Sequence, residues 1–358
     1  MPRPIDRLMA DAKKTLLPKL IGIEASNQEN FDFILGEIDG THNYSKMGGC
    51  VSIALSMAYA HACSKAREIP LFKGMRKGKY SLPCPIGKCI GGGAHAKSST
   101  SMQEFLAIPV GAKTFADAVH ANRKMHSIIH TALKENFQTF RGQSDLEGGW
   151  VANISDEDAL GIMTGAAVHA AAETGIKMRI GVDVAANQLY RNGKYYYKRE
   201  GKKPKNQLEF MLDLIDEYNL FYVEDAFMED DFDSFAELTG MAKDCLVCGD
   251  DLFTTNAGRL EIGVKKKACN AIVIKPNQAG TLTQTYDAIK LAKKKGYVPI
   301  VSHRSGETED TTISSLAVAF ECPMLKIGVM GKEREAKLDE LLRIEKSEKL
   351  KMNGEING

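Results

Sequence analysis

Short apolar runs alternate with stretches of helical periodicity along most of the chain, beginning near residue 80. The runs are rich in Val, Ile, Leu and aromatic residues, which is typical of strands buried in a sheet. They predict strands at LPCPIGKCI (82–90), EFLAIPV (104–110), MRIGVDV (178–184), LFYVEDAF (220–227), CLVCGDD (245–251), NAIVIKP (270–276), VPIVSH (298–303) and MLKIGV (324–329).

The stretches between these runs carry the spacing of amphipathic helices. In 207–219 and in 281–295 the apolar residues recur every three or four positions, so each segment has one apolar face. Two further helices are predicted, within 115–135 and within 156–174. Residues 1–75 also favour helix, most clearly from Ser52 to Lys65, where Ala, Leu, Met and Ile occur without helix breakers.

Repeating strand–helix units predict a parallel sheet with helices outside it, and eight strands suit a (β/α)₈ barrel. One stretch departs from the repeat, because two strand-like runs come first, in 82–110, and two helical segments follow them. We therefore expect the barrel to begin ββαα. The segment YRNGKYYYK (190–198) has Asn-Gly between aromatic residues, which indicates a hairpin outside the barrel.

Composition narrows the class of protein without choosing a function. The chain has 358 residues, 26% of them charged, and a formal net charge of +1. This balance implies no general attraction to nucleic acid or membranes. No apolar stretch approaches a membrane span, and the charged amino terminus lacks the apolar region of a secretory signal. Eight scattered cysteines favour reduced cytoplasmic thiols, and CLVC (245–248) has no second pair to complete a metal site.

Ionisable residues stand where the apolar runs end, which is where catalytic groups lie in a barrel of this kind. Burying an unpaired charge is costly, so such a series is hard to explain by packing alone. Acids follow three successive runs and basic groups follow the next three, namely Asp183, Glu224, Asp250, Lys275, the cluster His303–Ser305, and Lys326.

The three acids Asp183, Glu224 and Asp250 are expected to converge as a carboxylate triad. Oxygen ligands without Cys or His point to Mg²⁺. The alternative is that these acids cap helices at the barrel rim. Asp251 is interpreted as such a cap or as a group supporting the triad.

The basic groups suggest a general base and an anion site. Lys275, set among apolar residues near a cation, could have a lowered pKa and act as a base, or it could form a salt bridge to the acids. Arg304 and Ser305 offer the donors that bind an anion, with His303 and Lys326 beside them.

Two earlier segments complete the candidate site. The loop GGGAHAKSSTSMQEF (91–105) contributes His95 and Glu104, and its glycines allow close approach of a ligand to the backbone. The segment SDLEGGW (144–150) contributes Asp145 and Glu147, although by itself it indicates only a polar turn.

Taken in order, GGGAHA…MQEF, LEGGW, GVDVAANQLY, VEDAF, GDDLFTTN, IKPNQAGT, SHRSGETEDT and LKIG resemble the signature of the enolase family. LGEIDGTHNYSKMGGCVSIALSMAYAHA (35–62) resembles a segment of the domain that precedes the barrel in that family. The resemblance covers about residues 15–345. It implies an enolase-type (β/α)₈ TIM barrel, ββαα(βα)₆, over residues 76–358. A shortened helical remnant of the amino-terminal capping domain would occupy residues 1–75.

The resemblance also implies an activity, the Mg²⁺-dependent dehydration of 2-phosphoglycerate to phosphoenolpyruvate, in the cytoplasm. By motif, Lys275 takes the C2 proton, Glu147 helps the C3 hydroxyl leave, and Glu104 supports Glu147. The metal ligands are Asp183, Glu224 and Asp250. The substrate-binding set is His95, Glu104, Glu224, Asp250, Lys275, His303, Arg304, Ser305 and Lys326, of which Arg304 and Ser305 bind the phosphate and Lys326 the carboxylate side.

Two departures from the family pattern set further expectations. The family's amino-terminal strands and a mobile loop, whose serine binds a second Mg²⁺, have no counterpart in this sequence, so we expect the lid and the second metal to be affected. The family's Asp-Glu-Gly-Gly reads Leu146-Glu147-Gly148-Gly149, with Asp145 one residue earlier. We expect this shift to alter the surroundings of Glu147 or the position of its loop.

Two alternatives to an enolase remain at this point. The chain could dehydrate another carboxylate through the same enolate chemistry, although the phosphate-type cluster at 303–305 argues against that. It could also be a non-catalytic scaffold. The partners expected of an enolase are a small phosphorylated carboxylate and, since family members are usually dimers or octamers, further copies of this chain. Nucleic acid and membrane are not expected partners.

Overall fold

A closed eight-stranded barrel forms the larger part of the chain. The computed structural model describes residues 4–24, 27–97, 99–198 and 206–353. The strands are β1 Cys84–Gly91, β2 Glu104–Ile108, β3 Arg179–Asp183, β4 Tyr190–Arg191, β5 Lys194–Tyr195, β6 Tyr222–Glu224, β7 Leu246–Gly249, β8 Ala271–Ile274, β9 Val298–Ser302 and β10 Met324–Gly328. The barrel order is β1-β10-β9-β8-β7-β6-β3-β2, and β4 and β5 form a separate hairpin. All eight predicted barrel strands and the predicted hairpin are confirmed.

Helices cover the outside of the barrel and make up the described part of the first 75 residues. They are α1 Ile5–Asp11, α2 Leu17–Leu20, α3 Gln28–Asp39, α4 Gly49–Ala66, α5 Leu71–Met75, α6 Phe115–Asn136, α7 Asp156–Thr174, α8 Gln207–Tyr218, α9 Phe232–Met241, α10 Ala257–Lys266, α11 Pro276–Ala279, α12 Leu282–Lys294, α13 Thr312–Ala319 and α14 Lys332–Glu348. A π-helical turn, Ala12–Leu16, joins α1 to α2, and a 3₁₀ turn, Ala186–Gln188, follows β3. None of the described helices combines the length and apolarity that a membrane crossing requires.

One strand contradicts the expectation of a parallel sheet. Strand β2 runs antiparallel to both of its neighbours, β1 and β3. A parallel pair needs a crossover helix, and only a loop joins β1 to β2, so the chain has to turn back. The predicted order ββαα is confirmed, because α6 and α7 follow β2 before β3 begins. The reversal brings the first residue of β2, Glu104, to the same end of the barrel as the last residue of β3, Asp183.

Alternation along the strands separates two apolar layers. One fills the lower interior of the barrel and includes Ile86, Leu106 and Cys248, while the other lies between strands and helices and includes Cys245. The two cysteines of CLVC therefore belong to different layers. All eight cysteines are free thiols, and burial raises the pKa of Cys245 to about 12. Because side chains fill the barrel interior, only its open end is left for a ligand.

The amino-terminal helices dock on the barrel at the start of α12. Ser52 Oγ donates to the Gly280 carbonyl oxygen at 2.6 Å, and Ser56 Oγ accepts from the Leu282 amide at 2.9 Å. Asp32 accepts bonds from the amide and the hydroxyl of Thr283, at 2.9 and 2.6 Å. The helical region is thus hydrogen-bonded to the segment that follows β8.

We expect Gly280→Ala to destabilise this docking. Gly280 has a φ of 103°, and a Cβ added there would lie 2.7 Å from the ring of Tyr44. Gly296→Ala is a matched control, because its φ is also positive, at 79°, but nothing lies within 4 Å of the added Cβ. Urea unfolding should show a loss for Gly280→Ala about 1–3 kcal/mol greater than the loss for the control. Equal losses would mean that the contact with Tyr44 contributes nothing.

Candidate active site

A polar cavity of about 540 Å³ opens at the end of the barrel where the parallel strands terminate. Its size is that of a site for a small molecule. The predicted site residues that line it are His95, Glu104, Glu147, Asp183, Asp250, Lys275, His303, Arg304, Ser305 and Lys326. Glu224 has no exposed surface and is in contact with Lys326. The structure thus brings every predicted site residue to one place.

Strand geometry explains this convergence. Asp183 and Glu224 are the last residues of the adjacent parallel strands β3 and β6, and they are paired in register. Asp250 and Lys275 directly follow β7 and β8. Because parallel strands end at one rim, residues at these positions face a common space even though up to 41 positions separate successive ones.

Lys326 ties together the acids on one side of the cavity. Its Nζ lies 2.7 Å from Glu224 Oε2, 3.0 Å from Asp183 Oδ2 and 3.1 Å from Glu104 Oε2. Burial raises the pKa of Glu224 to about 8 and that of Glu104 to about 7, although the ammonium group opposes both shifts. Burial alone would also raise the pKa of Asp183, but Lys326 holds it below its usual range. The charge of the carboxylates on this wall of the cavity therefore depends on the nearby ammonium group of Lys326.

The same wall could hold a metal ion. Carboxylate oxygens lie within 4.8 Å of one another in two overlapping groups, Asp183–Glu224–Asp225 and Asp225–Asp250–Asp251. Glu224 Oε1 and Asp250 Oδ1 are buried and accept no hydrogen bond from the described residues. An all-oxygen donor set with free buried lone pairs fits a hard cation.

Asp225 is a member of both groups and was missed by the sequence analysis. Its carboxylate accepts the backbone amides of Asp250 and Asp251, each at 2.9 Å. Its φ is 46°, an uncommon conformation for a residue other than glycine. Asp225 thus joins the end of β6 to the end of β7. The VEDAF motif contained the signal, a second acid beside Glu224, but alternation would have placed it on the other face of the strand.

Lys275 forms an ion pair with Asp250. Burial would lower the pKa of Lys275, but Asp250 reverses the effect and the pKa lies above its usual value. The salt bridge given as the alternative is therefore observed, while the expectation of a lowered pKa, which assumed a cation beside Lys275, stays a prediction. The pKa is raised because the carboxylate at the end of β7 stabilises the ammonium ion more than burial disfavours it.

The basic cluster after β9 has an unexpected neighbour. Ser305 Oγ donates to Glu147 Oε1 at 2.6 Å, while Arg304 is exposed at the rim of the cavity. Arg334, from α14, holds this loop by donating to the carbonyl oxygens of Arg304 and Ser305 at 3.1 and 2.8 Å. Burial lowers the pKa of His303 to about 3, so its imidazole is neutral at neutral pH.

The loop that carries Glu147 is anchored on β1. The Trp150 amide donates to the Cys89 carbonyl oxygen at 2.8 Å, and the Gly91 amide donates to the Trp150 carbonyl oxygen at 3.0 Å. Asp145 Oδ1 accepts the amides of Glu147 and Gly149, at 2.9 and 3.0 Å. The neighbouring Leu146 is 80% exposed. The acid that lies one residue earlier than in the family pattern thus shapes the loop.

Lys88 is the second residue that the sequence analysis missed. It lies within β1 and is 1% exposed. Its Nζ is 2.6 Å from Glu147 Oε2, 2.7 Å from Asp145 Oδ2 and 2.9 Å from His95 Nδ1. Each of these partners belongs to the candidate site or to the loop that carries Glu147.

Comparison with known families gives the wider context. The family model described as "Enolase, C-terminal TIM barrel domain" matches residues 79–358, and the model described as "Enolase, N-terminal domain" matches residues 3–75. The chain belongs to the enolase family.

Individual relatives within the enolase family agree over nearly the whole chain. The enolase of Methanosphaera stadtmanae is 46% identical over 350 residues, which cover 95% of this chain and 84% of that protein. The enolase of Methanocorpusculum labreanum is 45% identical, with 96% and 87% covered, and that of Natronomonas pharaonis is 46% identical, with the same coverage. The barrel, the amino-terminal helices and the site thus all fall within the part that resembles enolases.

Proposed function

We propose that this chain dehydrates 2-phosphoglycerate to phosphoenolpyruvate. The proposal rests on one observation. A lysine, Lys275, and a carboxylic acid, Glu147, from different segments of an enolase-family barrel line the same cavity. The reaction removes a proton from C2 and a hydroxide from C3, so it needs a base and an acid within reach of adjacent carbon atoms. The proposed substrate is correspondingly a small phosphorylated carboxylate.

Each step assigns a role to a side chain in the cavity. Lys275 Nζ, once deprotonated, takes the C2 proton. Glu147, once it has taken up a proton, delivers that proton to the C3 hydroxyl, which leaves as water. Arg304 and Ser305 bind the phosphate with charged and neutral donors. Lys326 stabilises the negative charge that develops on the carboxylate side as C2 loses its proton.

We further propose that the cation is Mg²⁺ and that Asp183, Glu224 and Asp250 hold it, with Asp225 fixing the backbone between them. The donor set is oxygen only, and two of these carboxylates carry a buried oxygen atom that accepts no hydrogen bond from the described residues. When bound, Mg²⁺ supplies positive charge that lowers the energy of an enolate.

Three further predictions, on the domain boundary, the cellular location and the oligomeric state, also stay proposals. We place the boundary between the helical unit and the barrel after residue 75, in the linker that precedes β1. A cytoplasmic location follows from the cysteine usage described above. Assembly into a homodimer or a larger homo-oligomer is checked by light scattering coupled to gel filtration.

The direct test follows phosphoenolpyruvate formation from 2-phosphoglycerate while Mg²⁺ is titrated. Chelation with EDTA should abolish turnover, and added Mg²⁺ should restore it. Asp183→Asn should weaken metal binding and lower kcat on the order of 10²-fold, the usual effect of losing one electrostatic contact at the reacting centre. Asp213→Asn, an exposed position on α8, is the control and should behave as wild type. Tight Mg²⁺ binding without any phosphoenolpyruvate would instead favour another substrate or a non-catalytic role.

A further inference from the structure

Lys88 has no role in the reaction proposed above, yet it lies at the centre of the wall that carries Glu147. We propose that Lys88 is a positioning residue whose ammonium group fixes both the direction and the charge of the Glu147 carboxylate. This inference rests on the proposed function, because it explains the contact between Lys88 and Glu147 by the role of Glu147 as the acid of that reaction.

The contacts constrain the whole Glu147 carboxylate. Lys88 Nζ donates to Oε2 at 2.6 Å, and Ser305 Oγ donates to Oε1 at 2.6 Å. Each oxygen atom therefore has one fixed donor, and the plane of the carboxylate is set by one group within β1 and one in the loop after β9. The same ammonium group pairs with Asp145 Oδ2, and Asp145 Oδ1 accepts the Glu147 amide. Side chain and backbone of Glu147 are thus anchored on one cation.

Two glycines lie close to the aliphatic part of the Lys88 side chain, where a larger residue would crowd it. A Cβ at Gly149 would lie 3.0 Å from Lys88 Cε, and one at Gly91 would lie 3.3 Å from the same atom. A Cβ at Gly91 would also collide with the Asp145 carboxylate. These glycines let two backbone segments close around an extended lysine side chain, so the slot admits a long, thin side chain that ends in a donor.

Lys88 is the group beside Glu147 that stays positively charged at neutral pH. The groups that face the pair are His95 from the loop after β1, Glu104 from β2, Asp145 from the Glu147 loop, and His303 and Ser305 from the loop after β9, with Arg334 and Lys326 behind His303.

Burial lowers the pKa of His303 to about 3 and also lowers the pKa of His95, so both imidazoles are neutral at neutral pH. Burial would lower the pKa of Lys88 as well, but Glu104, Glu147 and Asp145 hold it above its usual value.

The sign of the effect on Glu147 follows. Burial alone would raise the pKa of this carboxyl group, but its interactions with His303, Lys88 and His95 hold it well below the usual range, and Lys88 is the one of these three that is charged at neutral pH. Removing the lysine charge therefore raises the pKa of Glu147. The limb of the pH–rate profile that belongs to Glu147 moves to higher pH, whichever limb that is.

The test compares wild type with Lys88→Gln, which keeps a donor and loses the charge. We expect kcat to fall on the order of 10²-fold with KM nearly unchanged, because the acid loses its fixed direction. The Glu147 limb should move up by roughly 1 pH unit or more. ¹³C NMR of glutamate-labelled protein, assigned with Glu147→Gln, should show the same shift without turnover. An unchanged Glu147 titration, or a change in KM alone, would overturn the proposal.

Two further variants keep the test decisive. If Lys88→Gln does not fold, the double variant Lys88→Gln/Asp145→Asn removes one charge of each sign. It should still move the Glu147 limb to higher pH, but by less than the single variant would, because the lost Asp145 charge acts in the opposite direction. Lys337→Gln is the matched control, since Lys337 is also 1% exposed and its ammonium group contacts Thr308, Glu333 and Glu307 instead of Glu147. It should lose stability but keep the wild-type pH profile. A wild type that makes no phosphoenolpyruvate refutes the proposed function, while the NMR titration still decides what Lys88 does to Glu147.

Discussion

Lys275→Ala lowers kcat for phosphoenolpyruvate formation by roughly 10³–10⁴-fold, the upper part of the range for a general base. The reason is that the Lys275 side chain ends in the cavity and is the basic group proposed to take the C2 proton. Exchange of that proton with solvent deuterium, followed by NMR of 2-phosphoglycerate, should disappear together with turnover. Both measurements are made with saturating Mg²⁺, so that metal binding does not limit either one.

The control for Lys275 has to separate loss of a base from loss of an ion pair. Removing Lys275 leaves Asp250 without its partner, so Mg²⁺ affinity and thermal stability are measured on the same samples. Lys294→Ala, on the exposed side of α12, should match wild type in every assay. If Lys275→Ala keeps solvent exchange at C2 while turnover stops, another group removes the proton and the assignment of the base is wrong.

Glu147→Gln is expected to separate the two halves of the reaction. The amide has nearly the same shape, and its oxygen can still accept the bond from Ser305, but it cannot deliver a proton to the leaving hydroxyl. Turnover should fall by roughly 10²–10⁴-fold. Exchange of the C2 proton with solvent should continue, because Lys275 and the acids proposed to hold the cation are untouched. The measurement is the ratio of exchange to elimination, which should rise steeply.

A variant of a second glutamate tests whether the result is specific to Glu147. Glu104→Gln changes the other buried glutamate of the same wall, which contacts Lys326 at 3.1 Å and Lys88 at 3.7 Å. We expect it to slow both exchange and elimination, since it disturbs the lysine that faces the enolate as well as the acid. If instead Glu147→Gln abolished exchange too, Glu147 would take part in the first step and the division of roles would fail.

The sequence predicted the positions of the charged groups because strand ends and side-chain alternation are local properties. Asp183, Glu224 and Lys326 each lie within an apolar run, and a barrel rim follows from the repeat of those runs. The reversed direction of β2 was not anticipated, although the ββαα order was. Run length and apolarity do not reveal direction, and only the absence of a helix between β1 and β2 carried that information.

The contacts that the sequence analysis missed depend on the closure of the barrel. Lys88 reads as a single lysine inside an apolar strand, and its main partner, Glu147, is 59 positions away. The raised pKa of Lys275 likewise depends on Asp250, which is 25 positions distant and on another strand. Burial can be inferred from a sequence pattern, but the sign of a pKa shift depends on which charge stands opposite, and this is fixed only in three dimensions.

The docking of α4 on the start of α12 has a consequence for engineering. The Gly280 carbonyl oxygen that accepts from Ser52 is only five residues beyond Lys275, and the intervening α11 is a single helical turn. The helical region therefore supports the segment that holds Lys275, the proposed base, and it does more than cover the barrel. A minimal catalyst cut down to the barrel alone would leave that segment without its support, so any transplanted version of this site has to carry its amino-terminal helices with it.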